Sequence, residues 1–267
     1  MKKFSGRHSL ALPTVLFVML TLGACSSSSD SSADDSDDSD DIEDEVAEDV
    51  DAGPSFRVAR IDIDAGNDGT VDQQFFEVYD SQGLLISEFF DSDLDGVADR
   101  EFSFVYQGGN LFNVADDADL DGTRDFFTFF SYDNNGVLLT ETAMDGLNGP
   151  EVQRIDYLQD TSGQLTGANF DLNADGAVDE VASYTFNSAG TVDVIEFDQN
   201  LDNVTDLVIS FEYGEVGEVL TRTSQLADST ITSVWTYVYE EGACDPLSER
   251  QPRIVTCVNG LFLPPLN

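Results

Sequence analysis

The sequence predicts an all-β fold, an antiparallel meander of about seven β-hairpin repeats of 26–27 residues, curled into a barrel-like or coiled sheet. Three observations lead there. Acidic segments open at Asp64, Asp91, Asp117, Asp171 and Asp198, in steps of 27, 26, 54 and 27 residues. Aromatic residues spaced by two follow these segments, which places them on one face of a strand. A short glycine-bearing turn then leads to a second strand. A fixed period of this length is the mark of one supersecondary unit stacked several times.

Each unit has the same parts. The aromatic strand is represented by Phe102, Phe104 and Tyr106, by Tyr184 and Phe186, and by Trp235, Tyr237 and Tyr239. The turns are YDSQG (Tyr79 to Gly83), YDNNG (Tyr132 to Gly136) and FNSAG (Phe186 to Gly190), which is hairpin turn chemistry. Second strands such as Leu84 to Phe90 or Val192 to Phe197 lead to the next acidic segment. The double step hides a degenerate copy near Met144, where MDGLNGPEV keeps Gly149 and loses most carboxylates. A seventh copy starts at Ser224, with Asp228 and the strand Val234 to Tyr239 in register. The aromatic faces need covering, so the meander is expected to curl on itself and use them as core. Its strands are shorter than the roughly 9 to 11 residues that a membrane-crossing strand needs. The YD-x-x-G-x-L pattern resembles the YD hairpin repeats of the RHS family of bacterial surface and toxin-encapsulating proteins, over half of each unit. In that family very many hairpins form a hollow spiral sheet; about seven are too few to enclose a cargo.

The flanks carry an address. Lys2, Lys3 and Arg7 precede the apolar run Leu10 to Leu22, too short to cross a bilayer comfortably, which reads as an export signal. The end of that run, Leu22-Gly23-Ala24-Cys25, resembles the lipobox of bacterial lipoproteins. The resemblance implies a signal peptide at 1–24, acylation of Cys25 and anchoring to a lipid bilayer; Ser26 implies the bacterial outer membrane, facing either the periplasm or the outside. Residues 25–53 then form a tether: Ser26 to Gly53 holds 13 acids, no base and no aromatic, and cannot bury enough surface to fold. The repeat domain is expected at 54–241 and an irregular segment at 242–267. With Cys25 acylated, Cys244 and Cys257 are left in an oxidising compartment, where a disulfide is expected to staple that last segment.

Removal of the signal takes away both lysines and the histidine and leaves 8 arginines against 53 acids, a net charge near −45. Such a surface repels nucleic acid and resists compaction unless cations neutralise it. Without histidine there is no imidazole base and no histidine-ligated metal.

The acidic segments align as D-x-[DN]-x-[DN]-G-x-x-D. Two match in full: Asp91, Asp93, Asp95, Gly96, Asp99 and Asp117, Asp119, Asp121, Gly122, Asp125. A third reads Asp171, Asn173, Asp175, Gly176, Asp179, and a fourth Asp198, Asn200, Asp202, Asn203, Asp206. The copy at Asp64, Asp68, Gly69, Asp72 has Gly66 at its third position and is expected to be weaker. This spacing suits calcium, which takes about six to eight oxygens at about 2.3 to 2.6 Å. The first, third and fifth side chains are expected to point inward, glycine at the sixth turns the chain, and aspartate at the ninth closes the cage. The first five positions resemble an EF-hand loop, but Phe102, Thr128, Ala182 and Ile209 stand where its bidentate glutamate belongs. The nine-residue form ending in aspartate resembles the calcium-bearing hairpin loops of integrin-type FG-GAP repeats.

These readings suggest a noncatalytic, calcium-stabilised, membrane-anchored surface module that binds polysaccharide, matrix or another envelope protein. Two other readings stand beside it, a polysaccharide-acting enzyme with paired carboxylates and an extracytoplasmic calcium buffer or sensor. For the enzyme, no acid stands out on an apolar strand except Asp156 and Glu212.

Overall fold

The computed structural model describes residues 56–134, 136–161, 163–215, 217–241 and 257–258. The signal peptide, Cys25, the acidic tether and the Cys244–Cys257 pairing lie outside that description, apart from the backbone of Cys257. The described residues form β1 (Phe56–Ala65), β2 (Gln73–Tyr79), β3 (Leu85–Asp91), β4 (Arg100–Gln107), β5 (Asn110–Asp117), β6 (Phe126–Tyr132), β7 (Leu138–Asp145), β8 (Glu151–Gln159), β9 (Leu165–Asp171), β10 (Glu180–Phe186), β11 (Val192–Asp198), β12 (Leu207–Tyr213), β13 (Val219–Leu226), β14 (Ile231–Glu241) and β15 (Cys257–Val258). Strands β1 to β14 pair antiparallel in chain order, and β14 pairs with β1, so the meander closes into a barrel. The short β15 pairs with Phe56 and Arg57 of β1, beyond the stretch of β1 held by β2. Alternating direction sends every acidic segment to one end of the barrel and every glycine turn to the other. Phe56, where β1 begins, lies at the glycine-turn end.

The repeat fixes which side chains face in. Just after each glycine turn the second strand carries one extra residue, so that two residues oppose one across the pair. These residues are Ile86, Phe112, Leu139, Thr166, Asp193 and Leu220. The closing pair has the same irregularity: Tyr239 faces Val58, Val238 faces Arg60, and Ala59 is the extra residue. β14 and β1 therefore make a seventh hairpin pair that lacks only its turn.

The bulge leaves a backbone carbonyl outside the ladder, and the next repeat supplies its donor. Tyr106 Oη donates to Leu85 O at 2.9 Å, Tyr132 to Leu111 O at 3.0 Å, Tyr213 to Val192 O at 2.5 Å and Tyr239 to Val219 O at 3.0 Å. Gln159 Nε2 does the same for Leu138 O at 2.9 Å. The tyrosine that ends these first strands is thus a link between repeats as well as core, whereas Tyr79 donates to Glu77 of its own strand at 3.0 Å. The acceptor residues themselves form a buried inner ring with Leu165 and Val58.

Inward faces form one continuous apolar core from β1 to β14. Toward the acidic end it holds Phe75, Phe102, Phe170, Phe197, Ile209 and Ile63. The middle ring breaks the expectation that no acid sits on an apolar strand. Glu88, Glu141 and Arg222 are buried there, in register with Ile61, Val114, Ala168 and Ile195. Tyr157 Oη donates to Glu141, and Arg222 lies 4.5 Å from the centre of the Trp235 ring. Asp156 and Glu212, by contrast, face outward. Asp156 pairs with Arg154 at 2.8 Å and Glu212 accepts from Thr221 Oγ1 at 3.2 Å.

Leu138 is 0 % exposed and its neighbour Leu139, the bulge residue, is 38 % exposed. We expect Leu138→Ala to cost about 2 to 5 kcal/mol in urea unfolding and Leu139→Ala less than about 0.5 kcal/mol. Equal costs would refute the inward assignment.

Burial, with carboxylates nearby, pushes Tyr157 and Tyr237 above the ordinary tyrosine value, and desolvation does the same for Tyr184 and Tyr239. Above about pH 10 the unfolded chain releases phenolic protons that the barrel retains, so this contribution is intact below that pH and is lost as pH rises past it. In alkaline titration these phenolate signals should appear together with loss of β circular dichroism, not at the ordinary value.

Candidate metal centres

Each acidic loop is a strand-to-strand connection folded around its own aspartates. The first aspartate accepts from the amide of the sixth residue in all five copies: Gly69 to Asp64 at 2.8 Å, Gly96 to Asp91 and Gly122 to Asp117 at 3.0 Å, Gly176 to Asp171 and Asn203 to Asp198 at 2.7 Å. The ninth accepts from the amide of the second: Asp72 from Ala65, Asp99 from Ser92, Asp125 from Ala118, Asp179 from Leu172 and Asp206 from Gln199, at 2.8 to 2.9 Å. Its own amide donates to the carbonyl of the residue before the loop, as Asp99 does to Phe90 O at 2.7 Å. Those two bonds draw the ends of the loop together and carry the ninth carboxylate over the first.

The backbone is left-handed at two places in every copy. The sixth residue has φ of 86° at Gly69, 84° at Gly96, 88° at Gly122, 87° at Gly176 and 65° at Asn203. The fourth has φ of 54° at Asn67, 62° at Leu94, 56° at Leu120, 55° at Ala174 and 60° at Leu201. A leucine held there costs roughly 1 kcal/mol relative to the usual right-handed basin.

In both full-match loops three carboxylates converge. Asp91, Asp93 and Asp99 bring oxygens within 4.8 Å of one another, and so do Asp117, Asp119 and Asp125. Such groups can hold a metal ion. The expected fifth ligand is arranged differently: Asp95 and Asp121 stand outside the trios and accept from the amides of Val97 at 2.8 Å and Thr123 at 2.7 Å. The same bond runs from Thr70 to Asp68, Ala177 to Asp175 and Val204 to Asp202. The third position, Asp93, Asp119, Asn173 or Asn200, accepts from the fifth amide at 2.9 to 3.2 Å. Phe102, Ala182 and Ile209, which replace the EF-hand glutamate, are buried core residues of the next strand.

One oxygen stands apart. Asp117 is 2 % exposed, and its Oδ1 is buried without any hydrogen-bond partner, whereas Asp91 Oδ1 accepts from Leu94 N at 2.7 Å. An orphaned carboxylate oxygen inside a group of three acids fits a cation and disfavours an empty loop. Arg124 supplies part of that charge, with Nη1 3.5 Å from Asp117 and 3.0 Å from Glu101. At the neighbouring loop the hydroxyl and amide of Ser92 hold the Asp99 carboxyl below its ordinary range.

The buried charges of the middle ring were missed in the sequence. The 27-residue step contains the signal, since Glu88, Glu141 and Arg222 each lie three residues after a buried aliphatic residue that begins a strand, Leu85, Leu138 and Val219.

No known protein family's profile matches the chain, and no curated protein matches it in sequence. Among solved structures it is similar to a porin-like protein from Bacteroides uniformis, with TM-score 0.38 and 11 % identity over 68 % of this chain and 98 % of that one. A porin-like protein from Bacteroides vulgatus gives TM-score 0.31 and 11 % identity over 68 % and 98 % of the two chains. The TcdB2-TccC3-TEV structure gives TM-score 0.29 and 13 % identity over 63 % of this chain and 9 % of that one. At these scores the likeness carries no information on function.

Glycine serves two different purposes in these loops. A Cβ on Gly122 would meet nothing within 4 Å, so Gly122→Ala carries only the cost of a left-handed alanine, about 1 to 2 kcal/mol. A Cβ on Gly149, in the degenerate loop, would lie 1.5 Å from the Asp145 carbonyl oxygen and force the backbone apart. Gly149→Ala should therefore lower the urea midpoint more than Gly122→Ala does.

Proposed function

We propose that the chain is a calcium-binding lipoprotein, anchored through acylated Cys25, whose barrel is a noncatalytic binding and structural module of the bacterial outer membrane. The observation that carries the calcium assignment is the convergence of the first, third and ninth carboxylates, together with the orphaned Asp117 Oδ1. Calcium suits this set because its ligands are all hard oxygens on an exposed loop, and it accepts irregular geometry better than magnesium does. Each carboxylate offers about four lone-pair sites, so an oxygen that accepts an amide can still face an ion. Asp91, Asp93 and Asp99 would hold one ion and Asp117, Asp119 and Asp125 another. The asparagine-bearing loops at Asp171 and Asp198 would hold further ions with less charge, and the Asp64 loop, without a third-position oxygen, would bind most weakly.

The ion would supply positive charge where like charges otherwise repel, so binding and stability are linked. Barrels that cross membranes present apolar side chains to lipid and polar ones to the lumen. Here the buried apolar ring faces inward, which supports a lipid anchor in place of a spanning sheet. The outward position of Asp156 and Glu212 favours a binding module over paired-carboxylate catalysis.

Thermal unfolding of the chain from Ser26 to Asn267 tests this in EGTA, in about 10 mM calcium and in magnesium. An occupied site at a hundredfold excess over its dissociation constant adds about 2.7 kcal/mol, or about 5 to 10 °C for a domain of this size. Asp93→Ala with Asp119→Ala should remove most of the calcium-specific shift. Identical curves in all three conditions would reduce the loops to acidic turns.

A further inference from the structure

We propose that Arg124 is the resident counter-cation of the Asp117 centre, holding that loop together when it is empty and giving up Asp117 when calcium enters, a reading that rests on the calcium assignment above. The eighth position separates loops that otherwise share one geometry. It is Val71, Ala98, Val178 or Thr205 in four copies, and a charged residue only at Arg124.

Charge at this place has a specific cause. Asp117 stands directly across the strand pair from Glu101, and like charges facing each other on a sheet repel. At the Asp91 loop the facing residue is the neutral Gln74. Arg124 bridges the two acids: its Nη1 lies 3.0 Å from Glu101 and 3.5 Å from Asp117, and its Nη2 donates to Ser103 Oγ at 2.8 Å. The firm contacts are therefore on β4, and the contact with Asp117 is the long one. That asymmetry lets the guanidinium leave Asp117 without losing its seat.

The first carboxylate registers the difference. In four loops both of its oxygens accept loop amides, since Oδ1 takes one from Asp68 at 3.0 Å, Leu94 at 2.7 Å, Asp175 at 3.1 Å and Asp202 at 3.1 Å in turn. In the third loop Asp117 Oδ2 takes both the Gly122 amide and the guanidinium, and the buried Oδ1 takes nothing. The arginine thus neutralises one side of a carboxylate whose other side stays open to an ion.

The two cations oppose each other. A unit positive charge about 6 Å from a divalent ion weakens its binding roughly tenfold at the dielectric of water, and salt reduces this to several-fold. With no ion bound, the same guanidinium offsets repulsion among Asp117, Asp119, Asp125 and Glu101, and its removal would leave a buried carboxylate uncompensated. Arg124 therefore lowers the dependence of this loop on calcium, and two loops with one motif become centres of different calcium dependence.

The test uses the chain from Ser26 to Asn267 with Arg124→Gln, which removes the charge, and Arg124→Lys, which keeps it. Calorimetric calcium titration should show Arg124→Gln binding about three- to tenfold more tightly at one site, with Arg124→Lys close to wild type. In EGTA Arg124→Gln should melt below wild type, and calcium should raise its melting temperature by more. The gain in affinity should vanish when Asp119→Ala is also present, because the two changes then act on one centre. A merely structural role would lower melting without tightening calcium binding, and that result would overturn the proposal. So would a gain that persists beside Asp119→Ala, which would make Arg124 a contributor to the general field of the rim. A wild type that binds calcium, with Arg124→Gln unchanged or weaker, would remove the counter-cation and leave the calcium reading standing. Wild type with neither calcium binding nor a calcium-specific shift would sink both.

Discussion

The pairing of β14 with β1 is the constraint on which the rest of the molecule depends. A meander of short strands has two edges, each a row of unpaired amides and carbonyls and an invitation to aggregate. Joining them satisfies both rows and turns a one-sided sheet into an enclosed core. The join is specific because it repeats the geometry of every hairpin before it. Tyr239 meets Val58 as Tyr213 meets Val219, and the Ala59 bulge matches the Leu220 bulge. The bonds from Tyr106, Tyr132, Tyr213 and Tyr239 to carbonyls of the preceding repeats add a second tie along the same circle. The contact that closes the sheet is also far longer in sequence than any hairpin pair, so most of its loop-closure entropy must be met before it forms.

Closure also sorts chemistry between the two ends. Hairpin turns with glycine gather at one end, where the chain enters, and the aspartate loops gather at the other. Charges that would be spread over an open ribbon are concentrated on one rim, where they repel one another unless something positive intervenes. Each loop already uses its carboxylates to hold its own amides, which gives a defined turn. The oxygens beyond that need are what remain for an ion, and in the loop at Asp117 one of them is buried with nothing to meet it.

Much of this was legible in the chain. The period, the two kinds of turn, the aromatic strand faces and the left-handed sixth residue all follow from local rules acting over fewer than ten residues. The curling of the sheet followed from the need to cover the aromatic faces. Less legible was the parity of the second strands. Alternation read forward from the turn would put Ser87 and Glu141 on faces set by a regular pleat, but the extra residue at Ile86 or Leu139 resets the alternation. Glu88, Glu141 and Arg222 thereby fall inside, in a ring otherwise filled by aliphatic side chains. Asp156, between inward Ile155 and Tyr157, and Glu212, between inward Phe211 and Tyr213, fall outside by plain alternation on strands that precede the turn.

The sequence by itself determined the repeat, the all-β class, the positions of the loops and which residue types crowd them, because turn chemistry and period-two patterning are local. Only the tertiary structure decided that the sheet closes through its first and last strands. It also decided that three particular charges are buried, and that of the expected inward carboxylates the first, third and ninth converge while the fifth accepts from an amide of its own loop. Those outcomes depend on pairing between residues far apart in the chain and on a one-residue bulge. Neither leaves a mark on local composition.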